Sequence, residues 1–189
     1  MVDVFWHARV IQEAEREVVP RMSRGMLRTE VIEAIRADAA LSKPVREEAL
    51  ALAGRIPDPF YARLLNSASS RDRNRPGADR AAWQRSLHLS EEACRLVPDR
   101  PSYLFDLGVA QYRLGRNREA IKTLDRALHL EPPQTSADRT RIQGGVSISI
   151  AERLACLAMA QYRLGRIEEA RATLGRMRGV MRGVTTRLP

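Results

Sequence analysis

The side chains that most often carry catalysis or bind metals are few in this sequence and lie far apart. The two cysteines, Cys94 and Cys156, lack the paired spacing of a zinc site and stand among alanine and leucine. The three histidines, His7, His88 and His129, fall in separate predicted helices without ligand spacing. No glycine-rich phosphate loop follows a predicted strand. The sequence therefore predicts a protein that is not an enzyme and uses no metal and no cofactor.

A stretch of seven residues occurs twice, as Ala-Gln-Tyr-Arg-Leu-Gly-Arg over residues 110–116 and again over 160–166. Such repetition is typical of folds built from stacked supersecondary units. It favours a binding function over a catalytic one. The elements that carry the repeats are predicted to be helices, because alanine, leucine, arginine and glutamate dominate and alternating β-branched runs are nearly absent. Since 44% of the 189 residues are hydrophobic, the chain can bury a core. We expect an all-α fold.

The residues around the first copy predict an antiparallel pair of helices. Leu107 and Leu114 share one side of the first helix, and Gly115 can take the left-handed conformation that ends it. The small residue Ala120 lets the second helix pack closely. This pattern over residues 101–132 resembles the tetratricopeptide repeat, and the second copy follows it more weakly. The resemblance implies an α-solenoid of stacked helix pairs with structural roles for Leu107, Gly108, Tyr112, Gly115, Ala120, Pro132, Leu157, Tyr162, Gly165 and Ala170.

The repeats divide the chain into an N-terminal helical region, residues 1–66, and a repeat region, residues 80–182. Between them, residues 67–79 are predicted to form a loop or hinge, because they contain no apolar residue larger than alanine. The repeat region is expected to hold a degenerate repeat (80–100), a full repeat (101–134), an insert (135–150) and a second full repeat (151–182), followed by a tail (183–189). The N-terminal helices, the first of which is expected to end at Pro20, should cap the solenoid.

Two features of the repeat region each allow two interpretations. The insert is predicted to be a loop with at most one helical turn, and Ser149 with Glu152 should cap the helix that follows. It either contributes to a binding face or is a tolerated surface loop. Gly175, Gly179 and Gly183 recur every four residues. They provide either a smooth face for another helix or a frayed end, and the frayed end is favoured because no helix that would pack there is evident.

The net charge of +9 is concentrated at the C-terminal end of the chain. Residues 1–70 contain ten basic and ten acidic side chains, whereas residues 151–189 contain eight basic and three acidic ones. A basic tail can attract nucleic acid or anionic lipid. The lack of interleaved aromatic residues and the excess of arginine over lysine, thirty to two, argue against nucleic-acid binding. Without a secretory signal or an apolar run of about 20 residues, the cytoplasm is the expected location and no membrane partner is expected.

Five blocks of the sequence carry a second, closer resemblance. They are LRTEVIEAIRADAALSKPVREEALALA at 27–53, LLNSAS at 64–69, RPGAD at 75–79, EEACRLVPDRPSYLFDLGVAQYRLGR at 91–116 and LACLAMAQYRLGRIEEARATL at 154–174. Together they resemble the C-terminal helical and tetratricopeptide region of planctomycete serine/threonine protein kinases. The kinase motifs themselves are missing, so the resemblance does not imply kinase activity. Ser70 also departs from it, because an aromatic residue is expected at that position.

The repeats favour a non-catalytic protein-protein interaction module that holds a peptide or helix of a partner in the groove of its helix pairs. The partner-facing positions expected from repeat geometry are Phe105, Asp106, Val109, Arg113, Cys156, Met159 and Arg163. The lysine and asparagine positions of a carboxylate clamp are occupied by other residues, which argues against that binding mode. A detached regulatory remnant or docking partner of a kinase is the alternative, and nucleic-acid binding through the arginine-rich C-terminus is a third hypothesis.

Overall fold

The computed structural model describes residues 2–130 and 145–185. In these residues the chain forms nine α-helices and no strand: α1 (Val2–Ser23), α2 (Arg28–Ala37), α3 (Lys43–Arg55), α4 (Asp58–Asn74), α5 (Arg80–Leu96), α6 (Pro101–Arg113), α7 (Asn117–His129), α8 (Gly145–Arg163) and α9 (Ile167–Thr185). The predicted all-α fold is therefore confirmed.

Three helical hairpins, α4–α5, α6–α7 and α8–α9, are stacked in chain order. Each second helix also packs on the first helix of the next hairpin, α5 on α6 and α7 on α8. The first helices α4, α6 and α8 contact each other in sequence, whereas the second helices do not contact one another within the described residues. The stack therefore curves with its first helices on the inside, as in an α-solenoid.

Both copies of the repeated heptapeptide turn the chain between two helices in the same way. Gly115 has φ of 82° and Gly165 has φ of 74°, the left-handed conformation that side chains disfavour. The amide of Arg116 donates to the carbonyl of Gln111 at 2.8 Å, and that of Arg166 donates to Gln161 at 3.0 Å. These bonds satisfy carbonyls that the helix end leaves open, so each copy ends its helix with a Schellman motif.

A glycine also sets the distance between α6 and α7. A Cβ atom added at Gly108 would lie 2.6 Å from Cγ of Leu124, which is fully buried on α7. Only glycine permits this approach without a shift of the leucine. At Gly108, therefore, the two helices of this hairpin are in close contact.

The hinge predicted at residues 67–79 is wrong for its first eight residues, which belong to α4. Small buried side chains allow α4 to lie close to α5, and a pattern of large apolar residues is not needed there. The Ser69 hydroxyl lies 2.8 Å from that of Ser86 and 2.7 Å from that of Ser90, so all three buried hydroxyls have partners. Helix α5, which opens the predicted repeat region, therefore forms a complete helical hairpin with α4.

Helices α1, α2 and α3 form a layer beside the first hairpin. α1 contacts α2, α3 and α4 through the buried residues Ala14, Val18 and Met22. The prediction that Pro20 ends α1 is wrong, because the helix continues to Ser23. Burial of Met22 in the core stabilises the turn that lacks one hydrogen bond at the proline.

The last hairpin begins earlier than the sequence predicts. Helix α8 starts at Gly145, so residues 145–150 are helical and the capping position expected at Ser149 lies inside the helix. The rest of the predicted insert and Pro132 lie outside the described residues. Gly175 and Gly179 lie in α9, and a Cβ added at either would have no neighbour within 4 Å. In this part of the chain, therefore, no helix packs closely against these two glycines.

Candidate protein-interaction surface

The first helices of the three hairpins bring several arginine side chains to the inner side of the stack. We call this region the inner surface and define it by Arg73 of α4, Arg113 of α6, the buried Arg153 of α8 and Arg163 of α8. Each of these four guanidinium groups lies over an aromatic ring of a neighbouring helix, at 4.4 to 5.6 Å from the ring centroid. Stacking of this kind holds the long side chains in place, and the guanidinium groups keep their charge.

The centre of the inner surface is a ring held between two arginines. The guanidinium carbon of Arg73 is 4.9 Å from the centroid of the Phe105 ring, and that of Arg153 is 5.6 Å from it. Because Arg73 is on α4 and Arg153 is on α8, this contact links all three hairpins. Phe105 is buried, and it packs with Val109, Leu157 and Leu124 in one apolar cluster.

Asp106 supplies the negative charge beneath these arginines. Its carboxylate oxygen Oδ1 lies 3.3 Å from Nε of Arg73, and the hydroxyl of Ser70 donates to its other oxygen. Burial raises the pKa of Asp106, and the neighbouring Arg73 charge and the Ser70 hydrogen bond oppose that rise. The Ser70 hydroxyl therefore acts as a hydrogen-bond donor to Asp106 in this chain.

Three of the expected partner-facing residues are not accessible to a partner. Phe105, Asp106 and Val109 are 7%, 2% and 6% exposed, because the helices before and after α6 cover them. The prediction that they line an open groove is therefore wrong for this chain. They instead support the arginines that form the inner surface.

The two equivalent arginines Arg113 and Arg163 are exposed at the C-terminal ends of α6 and α8. Arg113 lies 5.2 Å from the ring of Trp83, and Arg163 lies 4.4 Å from the ring of Tyr112. In both cases the ring belongs to the preceding hairpin, so the repeated arginine stacks backwards along the solenoid. Both guanidinium groups remain accessible to an anionic ligand.

The remaining two expected positions, Cys156 and Met159, lie on α8. Cys156 is half-buried against the apolar cluster of Phe105, and burial raises the pKa of its thiol, which disfavours a reactive thiolate. Met159 is exposed. Its equivalent in the preceding hairpin, Val109, is covered by α8, whereas no helix follows α9 in the described chain.

Sequence reasoning missed several contributors to the inner surface. The sequence places Arg73 in the predicted hinge because no apolar periodicity marks the end of α4. The role of Trp83, whose Nε1 donates to the carbonyl of Ala78 at 3.2 Å, has no signal in the sequence pattern. A signal was present in the register of the arginines, because Arg113 and Arg163 occupy the same position of the repeated heptapeptide.

Two further properties of the described residues bear on function. Nowhere in 2–130 and 145–185 do three histidine, cysteine, aspartate or glutamate side chains come together as a metal site requires. No helix in those ranges is long and apolar enough to cross a lipid bilayer.

Comparison with known protein families agrees with the helical hairpins seen in the fold. The tetratricopeptide repeat family matches residues 102–132, which comprise most of α6 and all of α7. The match identifies one tetratricopeptide repeat, over α6 and α7, and the stacked helical hairpins on either side agree with a fold of this type. Tetratricopeptide repeats generally mediate protein-protein interaction. No curated protein and no solved structure matched the chain. The resemblance to planctomycete kinases therefore has no support from a relative.

Proposed function

We propose that this protein is a non-catalytic protein-protein interaction module that binds an acidic peptide or helix on its inner surface. The observation that carries the proposal is the set of arginines stacked on rings along the first helices. Arg113 and Arg163 are its accessible members. A guanidinium that is already held over a ring loses little freedom when it binds a carboxylate, and its planar fork can make two hydrogen bonds at once.

The charge of the surface favours an acidic partner. The buried carboxylate of Asp106 and the exposed carboxylate of Glu152 lie near the four arginines, so the region keeps an excess of positive charge. Such an excess attracts and orients an acidic segment at low ionic strength. The affinity should fall as salt rises, because the contacts of Arg113 and Arg163 are open to solvent.

Selection from a displayed peptide library tests this proposal. We expect the purified chain to select acidic peptides, and the Arg113→Glu/Arg163→Glu variant to bind them at least about tenfold more weakly. The matched control is Arg118→Glu/Arg176→Glu, which makes the same charge change at exposed positions of α7 and α9. Circular dichroism should show the same helix content in all three proteins.

Two results would contradict the proposal. The library could yield no acidic consensus, or the control variant could weaken binding as much as the inner-surface variant does. The second result would show that binding follows net charge rather than the stacked arginines.

The resemblance of residues 20–182 to a kinase-associated region motivates a second candidate function. In this alternative the inner surface binds a kinase domain, and the chain is a regulatory remnant or docking partner. Binding of a kinase domain encoded beside this chain, lost in Arg113→Glu/Arg163→Glu, would support it; its absence would leave the acidic-peptide proposal unaffected.

A further inference from the structure

Large apolar side chains that remain exposed are concentrated at the two ends of the helix stack. Of the ten such residues in the described chain, four are on α1 and four are on the last hairpin. Those on α1 are Phe5, Trp6, Ile11 and Val19, and those on α8 and α9 are Met159, Tyr162, Ile167 and Met181. Phe5 is 75% exposed and Tyr162 is 66% exposed. Both ends are therefore candidates for association.

On the last hairpin, the exposed side chains of Met159 and Tyr162 occupy positions whose equivalents in the preceding hairpin are buried. We call Met159, Tyr162 and Ile167 the end face. In the preceding hairpin, the equivalent of Tyr162 is Tyr112, which packs against Ala160 of α8 and lies under the guanidinium of Arg163. The chain thus shows that a helix with small and apolar residues is what covers this position.

Helix α1 provides a stripe with those properties. Phe5, Ala8, Ile11, Glu15 and Val19 follow one another at three or four residues, so they share one side of the helix. All five are exposed, because the core contacts of α1 are made by other positions. The core side of α1 is occupied by α2, α3 and α4, so this outer stripe is available to contact the end face of a second copy of the chain.

The charges of the two ends favour this pairing over the pairing of two end faces. Helix α1 contains four acidic and three basic side chains, whereas residues 145–185 contain seven arginines and three glutamates. Two C-terminal hairpins would repel each other, and α1 against the hairpin would not. We propose that the outer stripe of α1 in one copy docks on the end face of another, so that the chain associates head to tail.

Head-to-tail contacts use two different surfaces. The assembly can therefore grow, because each added copy still leaves one outer stripe and one end face exposed at its ends. The mass measured by light scattering should therefore increase continuously with protein concentration. Phe5→Glu and Tyr162→Glu should each weaken association at least about tenfold, because each places a charge in an apolar contact. Both positions are exposed, so the fold should be unchanged by circular dichroism.

Mixing the two variants distinguishes this arrangement from others. The Phe5→Glu chain keeps an intact end face, and the Tyr162→Glu chain keeps an intact α1, so together they should form one heterodimer that cannot grow. Phe60→Glu, at an exposed aromatic residue on α4, is the control that should associate like the wild type.

Three results would overturn the inference, which does not rest on the proposed function. The wild-type chain could remain a monomer up to about 1 mM, a concentration that would detect even weak association. Phe5→Glu could still form dimers that Tyr162→Glu cannot, which would indicate contact between two end faces. The mixed variants could also fail to form the heterodimer.

Discussion

The second and third hairpins carry the same seven residues and differ in what those residues experience. Locally the two copies agree: both glycines are left-handed, and both turns close with the same pair of backbone hydrogen bonds. Yet Tyr112 is 7% exposed and Tyr162 is 66% exposed. Identical sequence therefore determines the turn, while the neighbouring hairpin determines burial. The difference explains why one tyrosine is part of the core and the other is available for binding.

The largest expected difference between the copies is in the free energy of unfolding of the two tyrosine variants. Tyr112→Ala should destabilise the protein by about 3 kcal/mol, because it removes a buried ring and leaves a cavity under Arg163. Tyr162→Ala should change stability by less than about 0.5 kcal/mol, as for other exposed positions. Urea unfolding followed by circular dichroism measures both. Equal losses of stability would contradict the difference in burial between the two tyrosines.

The close approach within the second hairpin is tested by adding one methyl group. Gly108→Ala should destabilise by about 1 kcal/mol or more, because the new Cβ overlaps Leu124 and this outweighs the gain in helix propensity. Gly175→Ala is the control in α9, where a Cβ meets no neighbour, and it should stabilise by up to about 1 kcal/mol. In thermal unfolding, we expect the two substitutions to change stability in opposite directions. Stabilisation by both would contradict the close contact at Gly108.

Substitution of either turn glycine should cause the same loss of stability, because the two copies share the same local structure. Gly115→Ala and Gly165→Ala should each cost about 1 kcal/mol, because the left-handed conformation is strained for alanine although space is available. Urea midpoints measured side by side give the two losses. A loss at one site without the other would show that the turns differ.

The smallest expected effect is the pH dependence contributed by Asp106, whose equivalent in the third hairpin is Cys156. Burial raises the pKa of Asp106 in the folded protein, so the folded state binds the proton more tightly than the unfolded state. Its contribution to stability is therefore present below the ordinary carboxyl range and is lost as pH rises through the raised pKa. Relative to Asp106→Asn, the wild type should lose stability over that window in urea titrations. A relative gain would mean that Arg73 dominates over burial.

The hairpins α6–α7 and α8–α9 could be predicted from the sequence because glycines, alanines and leucines occur at fixed positions of a repeat. The C-terminal part of α4 cannot be predicted from the sequence because the side chains that bury it, Ala68 and Ser69, are small, and a buried serine has the same sequence signature as a loop. Burial of Phe105 could not be predicted either, since it depends on arginines from two other hairpins. Positions within one hairpin follow from spacing, whereas contacts between hairpins require the curvature of the stack.

Nitration of tyrosines by tetranitromethane, mapped by mass spectrometry, tests the difference between the two hairpins most directly. The chain has four tyrosines, and Tyr61, Tyr103 and Tyr112 are buried. In dilute protein we predict that brief treatment modifies Tyr162 and leaves the other three unmodified. Modification of Tyr112 at the same rate as Tyr162 would contradict the account, because it would show that the third hairpin does not cover the second.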